Sequence, residues 1–235
     1  MSDDSEKFQG TGRFSSPPCL AAEIAPDYFD PLAVDPEQAR DVARWRKAER
    51  VRLGKARASM SVEERSAATG MLTECVRTAL YDRCCDVRGV VLSFYWPIRG
   101  EPDLRPLMRE LHGAGMNIVL PVVETRAAPL VFRLWTPETR MLRDQWQIPV
   151  PPPDAPGLVP EIVLAPLVGW TDNGYRLGNG GGYFDRTLAA LTPRPLLIGI
   201  GFESARLPTI YPQPHDIPLD LILTEAGERC NHTNE

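Results

Sequence analysis

The sequence predicts an α/β protein of three layers, a largely parallel central sheet of about six strands flanked by helices. Two observations carry that expectation. Short apolar runs of four to eight residues, rich in Val, Ile and Leu, lack the alternation of a half-wetted sheet and read as strands covered on both faces. Between them lie segments with apolar residues at helical spacing, the interleaving that parallel crossovers require. With 235 residues, 43% of them hydrophobic and 24% charged, the chain is long enough to bury one sizeable core as a single domain, expected over residues 38–235.

Residues 1–37 mix Gly, Ser, Pro and acidic residues without periodicity and are expected to form a poorly structured arm. Its Ser15–Cys19 run ends in a lone thiol, for which an inert role is the default and a regulatory or metal role the alternative. From Glu37 to Ala58 the pattern turns helical and basic, with Arg40, Arg44, Arg46, Lys47, Arg50, Arg52, Lys55 and Arg57. Ser61-Val-Glu-Glu64 has the form of a capping box, and Ala68, Met71, Leu72, Cys75, Val76, Ala79 and Leu80 follow at helical spacing, predicting a helix over 61–81. A strand over Val90–Phe94 is followed by a helix opened at Asp103, carrying Leu104, Leu107, Met108 and Leu111 and stopped near Gly113 and Gly115. Further strands are predicted at Asn117–Val123, Leu130–Trp135, Glu161–Val168, Leu196–Phe202 and Leu219–Thr224. The prolines between Gln147 and Pro160 (149, 151, 152, 153, 156 and 160) exclude a sheet interior and predict a long surface connection.

Composition excludes several classes of function. The net charge of −5 argues against a surface built to neutralise nucleic-acid phosphates. The longest apolar stretch, Ile162–Trp170, is about half of the roughly 20 residues a membrane-spanning helix needs. The polar, acidic N-terminus has neither a signal-peptide nor a transit-peptide pattern, so a cytoplasmic location is expected. Five cysteines without a C-x-x-C and three scattered histidines give neither a disulfide framework nor an imidazole-rich metal site. No nucleic acid, no membrane and a monomeric state are the expectations for partners.

Ligands of open α/β sheets sit outside the C-terminal strand ends, and there the sequence places Asp172-Asn-Gly-Tyr-Arg-Leu-Gly-Asn-Gly-Gly-Gly-Tyr-Phe-Asp185. Glycines 178, 180, 181 and 182 remove Cβ atoms where N–H groups can close around phosphate oxygens, and the helix behind them directs its positive end there. The loop lacks the Lys-Ser/Thr of a Walker A motif, and Tyr183 replaces the third glycine of a dinucleotide fingerprint. An anion site is one reading and a flexible turn the other.

Pro166 through Asp185 resembles the signature of the 5-formyltetrahydrofolate cyclo-ligases, also called methenyltetrahydrofolate synthetases. Ile198–Phe202, Leu207-Pro208, His215-Asp-Ile-Pro-Leu-Asp220 and Thr224-Glu225 are similar to the family's C-terminal signature, and Tyr95–Glu101, Leu120-Pro121 and Phe132–Trp135 to its substrate half. Met60-Ser-Val-Glu-Glu-Arg65 is similar to its Leu-Ser-x-Glu-Glu-Arg. The resemblance covers about Arg46 to Glu225. It implies ATP- and Mg²⁺-dependent closure of 5-formyltetrahydrofolate to 5,10-methenyltetrahydrofolate through a phosphorylated formyl intermediate, with release of ADP and phosphate.

Residue by residue, the resemblance implies that ATP is held by Arg46 and Arg50 on the first helix and by Arg176, Gly178, Asn179, Gly180, Gly181, Gly182, Tyr183 and Asp185. Family members carry lysine at position 46, and Lys47 beside it is the substitute, although one step along a helix turns a side chain by about 100°. The alternative for this helix is a solvated basic face. Asp185 and Asp216 are the implied magnesium ligands, with Asp185 alternatively an acid favoured by its helix N-terminus. Tyr95, Trp96, Glu101, Trp135 and Phe184 are implied around the folate. Core packing is the alternative for Trp135 and Phe184, and an acid ahead of a helix start the alternative for Glu101. Asn179 stands where many relatives are basic, and Phe184 lacks the hydroxyl usual at its place. Those departures keep two other readings open: a catalytically silent paralogue that binds nucleotide or folate, and a cyclo-ligase for a different acyl substrate.

Overall fold

The computed structural model describes residues 36–229. The arm expected over 1–37, with Cys19, lies outside the described residues except at its last two positions, which already belong to a helix. The chain divides at Ala39 into two units, and the second, residues 40–235, carries the sheet.

The elements follow the apolar pattern in order. Helix α1 (Pro36–Ala58) begins on a proline, whose missing N–H costs nothing at a first helical position. Helix α2 (Val62–Arg83) is started by the capping box: Ser61 Oγ accepts from Glu64 N at 3.1 Å, and Ser61 N donates to Glu64 Oε2 at 2.8 Å. Its buried stripe is Ala68, Leu72, Val76, Ala79 and Leu80, whereas Met71, expected on that face, is exposed. Then come β1 (Val91–Ser93), α3 (Arg105–Gly113), β2 (Asn117–Val122), β3 (Val131–Leu134), the short pair β4 (Leu142–Arg143) and β5 (Pro149–Val150), and β6 (Ile162–Pro166). A second short pair, β7 (Gly169–Trp170) and β8 (Arg176–Leu177), precedes α4 (Tyr183–Ala190), and β9 (Leu196–Ile200), β10 (Leu221–Thr224) and β11 (Gly227–Glu228) complete the chain.

All six predicted strands lie in one sheet of order β11-β10-β9-β6-β1-β2-β3. The four inner pairings are parallel, and the two outer ones, β2 with β3 and β10 with β11, are antiparallel. The period of two along each strand builds two cores. Leu92, Ile118, Leu120, Ile162, Leu164, Ile198, Ile200, Leu221 and Leu223 face α2 and α3, while Val163, Ala165, Leu197 and Ile222 face Leu188 of α4. Each fully buried leucine or isoleucine contributes about 1.5–3 kcal/mol, so both faces are needed to hold the short strands together.

Helix α1 packs elsewhere. Its Leu53 joins Val168, Leu177, Leu207 and Ile210 around the β7–β8 hairpin. Gly169 permits this contact, because a Cβ there would sit 2.8 Å from Leu53 Cδ1 and 2.9 Å from Leu207 Cδ1. The proline-rich segment is more than a surface connection. Leu158 N donates to Phe132 O at 3.1 Å, Leu134 N donates to Pro156 O at 2.8 Å, and Gly157 pairs with Arg133, so the segment lies along the outer edge of β3. Prolines are tolerated on an edge because their missing donors face away from the ladder.

Candidate active site

In the sheet order the chain moves from β1 outward to β2 in one direction and then from β6 outward to β9 and β10 in the other. The reversal between β1 and β6 opens a crevice at their C-terminal ends, the place where open α/β sheets take ligands. A cleft of about 580 Å³ lies there, with Tyr95 and Trp96 from the end of β1, Pro121 from β2, Pro166 from β6, and the whole glycine loop on its walls.

Arg46 and Arg50, one turn apart on α1, both reach this cleft, in different states. Arg46 is buried and uses four of its five N–H donors: Nε donates to Ile210 O at 2.9 Å, Nη2 to Tyr211 O at 2.9 Å, and the two terminal nitrogens to both oxygens of Asp216. Asp216 Oδ2 also accepts from Gln213 N at 2.6 Å. Burial pushes the Asp216 carboxyl up, but these donors outweigh it and leave it below the ordinary carboxylate value. Arg46 therefore pins the loop before β10. Arg50 donates once, Nε to Gly178 O at 2.7 Å, and its pKa is lowered first by burial and then by Arg46, with Arg176 adding to the effect.

The glycine loop presents a third guanidinium. Arg176 is buried with Nη2 2.9 Å from Asp185 Oδ2, yet Nε and Nη2 have no well-aligned hydrogen-bond acceptor among the described residues. Its guanidinium stands 5.1 Å from the centre of the Phe184 ring. The loop leaves no room for side chains. A Cβ at Gly178 would lie 2.6 Å from Arg176 Nη1, one at Gly181 2.7 Å from the Tyr183 ring, and Gly180 and Gly182 hold φ of +100° and +62°. Among the described residues the backbone N–H groups of 178–182 make no hydrogen bond to another backbone carbonyl. Exposed N–H groups, a helix N-terminus and an under-satisfied buried arginine together offer donors and positive charge of the kind that an anion such as a phosphate chain takes.

The opposite wall is aromatic and carries a buried acid. Glu101 is 5% exposed; its Oε2 accepts from Ile98 N at 3.0 Å and its Oε1 from Asn179 Nδ2 at 3.3 Å. Burial raises its pKa above the ordinary value, against the opposing effects of Ile98 N–H, Arg57 and Asn179. Tyr95 is buried and donates to Pro102 O at 2.9 Å, while Trp96 lies under the Arg105 guanidinium. Phe184 faces the cleft from α4.

Two of the residues expected here lie elsewhere. Lys47 is exposed and off the cleft wall, because one step along the helix turns it away from the face shared by Arg46 and Arg50. Trp135 is 4% exposed and stands edge-on to His112 at 6.2 Å inside the α2–α3 core, so core packing is its place. The second indole on the cleft, besides Trp96, is Trp146, at the tip of the β4–β5 hairpin, half exposed and edge-to-face with Tyr183 at 5.7 Å. Trp146 stands one residue before the proline-rich segment 147–160, and no motif in the sequence singles it out. Arg99, Asp144 and His215 also reach the cleft.

A magnesium ion fits only with help from a ligand. Among the described residues no group of three or more His, Cys, Asp or Glu could hold a metal ion. Of the two acids implied, Asp216 has both oxygens occupied by Arg46, which leaves Asp185 as the one with capacity for a cation. One carboxylate with phosphate oxygens and water is a donor set that Mg²⁺ accepts.

With this geometry in place, residues 42–225 match the 5-formyltetrahydrofolate cyclo-ligase family. The 5-formyltetrahydrofolate cyclo-ligase of Escherichia coli K12 is 30% identical over 143 residues, covering 58% of this chain and 76% of the relative. That of Haemophilus influenzae is 28% identical over 138 residues, covering 56% and 74%. The 5,10-methenyltetrahydrofolate synthetase of Aquifex aeolicus superposes with a TM-score of 0.66 at 27% identity, covering 81% of this chain and 94% of that one. The corresponding Mycoplasma pneumoniae enzyme gives 0.59 at 25%, covering 77% and 98%.

Proposed function

The chain belongs to the 5-formyltetrahydrofolate cyclo-ligase family, and from that premise we propose that it converts 5-formyltetrahydrofolate to 5,10-methenyltetrahydrofolate, consuming ATP with magnesium and releasing ADP and phosphate. The observation that carries the proposal is the pairing, in one cleft, of the glycine loop and its under-satisfied Arg176 with an aromatic wall. A formyl amide oxygen is a poor leaving group, and ATP supplies the remedy, a phosphoryl group on that oxygen that departs as phosphate when the second folate nitrogen closes the ring.

The chain's own residues position and neutralise. The N–H groups of 178–182, with Arg50 and Arg176, hold the phosphates and offset their charge, so no protein nucleophile is needed. Asp185 is the residue that would hold magnesium, together with phosphate oxygens and water. Arg46 acts at one remove, holding Asp216 and the 210–216 loop against the cleft, and an arginine is suited to that bidentate task where a lysine is not. Trp96, Trp146 and Phe184 form the apolar walls for the folate rings, and Glu101, with Asn179 donating to it, accepts from ring N–H groups. The aromatic walls shield the activated formyl group from water. We assign the reaction to a monomer in the cytoplasm, in keeping with the free thiols of Cys75, Cys84 and Cys85.

The test is to mix purified protein with 5-formyltetrahydrofolate and follow methenyltetrahydrofolate absorbance, omitting ATP and magnesium in turn. The expected result is a rise that needs both. No rise, with ATP and folate both bound, would leave a silent paralogue or another acyl substrate.

A further inference from the structure

A second cavity, about 630 Å³, adjoins the cleft along the C-terminal half of α1. Lys55, Arg57, Arg65 and Arg99 line it together with Arg50, and no carboxylate among the described residues does. None of these five cations forms a salt bridge among the described residues, although arginines elsewhere, such as Arg77, Arg83, Arg105 and Arg206, pair with acids. Concentrating unpaired like charges is costly unless something answers them.

The local structure holds this concentration in place. Arg57 Nε donates to Arg99 O at 3.1 Å, and Arg65 donates to Met60 O at 3.1 Å while its buried Nε has no acceptor among the described residues. Between them sits Gly100 at φ +76°, where a Cβ would touch Arg65 Cζ at 3.6 Å and Arg57 Cγ at 3.7 Å. Arg99 itself is held at φ 51°, a left-handed conformation that non-glycine residues rarely adopt and that the backbone keeps only under constraint. Arg57 is lowered first by burial; Glu101 and Tyr95 oppose that, and Arg99 and Arg65 add to it. Glu101 is already committed to Ile98 N and Asn179. Among the described residues no carboxylate lines the cavity to balance the group.

We propose that this cavity is a second binding site, distinct from the phosphate receptor at the glycine loop, for a multiply charged oxyanion of small-molecule size. Arginine forks bind phosphate and carboxylate alike, so the shared chemistry is a polyanion, and inorganic triphosphate and citrate separate the two sources. Arg50, Arg99 and Asn179 border both cavities, so occupancy of one reaches the other through shared walls.

The test is calorimetric titration of inorganic triphosphate, orthophosphate and citrate into the full chain at low ionic strength, with Mg-ATP saturating so that the glycine-loop receptor is filled. Saturable uptake of one anion per chain is expected, weakened about tenfold by Arg57→Gln, which removes one charge-assisted contact. Lys55→Glu alters an exposed side chain on the same cavity and leaves the Arg57 and Arg65 hydrogen bonds untouched, so it is expected to weaken binding at least as much without loss of fold. Tighter binding of triphosphate assigns the site to a phosphorylated ligand, and tighter binding of citrate assigns it to a carboxylate one. No saturable uptake with Mg-ATP present, or equal affinity in the wild type and both variants, would overturn the proposal. Repeating the titration without Mg-ATP keeps the result independent of whether the glycine loop binds nucleotide, because the variants read only the second cavity.

Discussion

On the N-terminal side of α1, Arg46 is buried with its hydrogen bonds shared between one carboxylate and two carbonyls, whereas further along the same helix Arg50 makes one hydrogen bond and Lys55 makes no ion pair among the described residues. The two stretches have the same basic composition, and the partners differ. Arg46 finds an acid 170 residues away in sequence, while the later cations face cavities. The difference teaches that a run of basic residues is sorted into structural and ligand-facing members by tertiary partners, not by charge. Stability and activity should therefore separate along one helix.

The largest effect is expected on the structural side. Asp216→Asn leaves Arg46 buried without its counter-charge and should cost about 3–5 kcal/mol in urea unfolding, while Arg46→Met combined with Asp216→Leu should recover most of that loss. Asp216 is held below its ordinary pKa, so its contribution is complete above that ordinary value and is lost as pH falls through the depressed one. The gap between wild type and Asp216→Asn should accordingly close in strong acid. A loss at neutral pH no larger than that of a surface substitution would break the comparison.

Next comes the ligand-facing side. Arg50→Ala should lower kcat/KM by about 100- to 1000-fold, the effect of removing one preorganised donor, while thermal stability stays close to wild type. Equal losses of stability and activity would make Arg50 another structural arginine. A smaller effect is expected at the aromatic wall: Trp146→Ala should raise KM for the folate about tenfold and leave that for ATP unchanged, whereas Trp135→Ala should act through stability.

The smallest effect sharpens the comparison at Glu101. Burial raises the pKa of this acid, so protonation favours the fold below the ordinary glutamate value, and that contribution is lost as pH rises through the raised value. The melting temperature of Glu101→Gln relative to wild type should therefore climb as pH rises above the ordinary glutamate value of about 4.3 and level off above the raised one. A flat difference would mean that the carboxylate is fully solvated.

The sheet was legible because its strands are continuous apolar runs of Val, Ile and Leu, and the helices because their stripes and the Ser61 capping box are local signals. The hairpins β4–β5 and β7–β8 and the edge strand β11 were not, since a strand of two residues carries no periodicity. In the site, the glycine loop could be read directly, because crowding at Gly178 and Gly181 forbids side chains. Arg46 could be placed in the cleft but its commitment to Asp216 could not, as nothing local links positions 46 and 216. Trp135 and Trp146 illustrate the same limit. Both are tryptophans beside strands, and only the path of the proline-rich segment along β3 brings the second to the cleft while the first sinks into the core.

The most direct test measures ADP and methenyltetrahydrofolate together during turnover of wild type and Arg50→Ala, both shown to be folded by thermal melting. One ADP per methenyltetrahydrofolate in the wild type, with both products lost in step in the variant, is the predicted result. Methenyltetrahydrofolate formed without ADP, or ADP released at the wild-type rate by Arg50→Ala, would contradict the account of a phosphate receptor working opposite a folate wall.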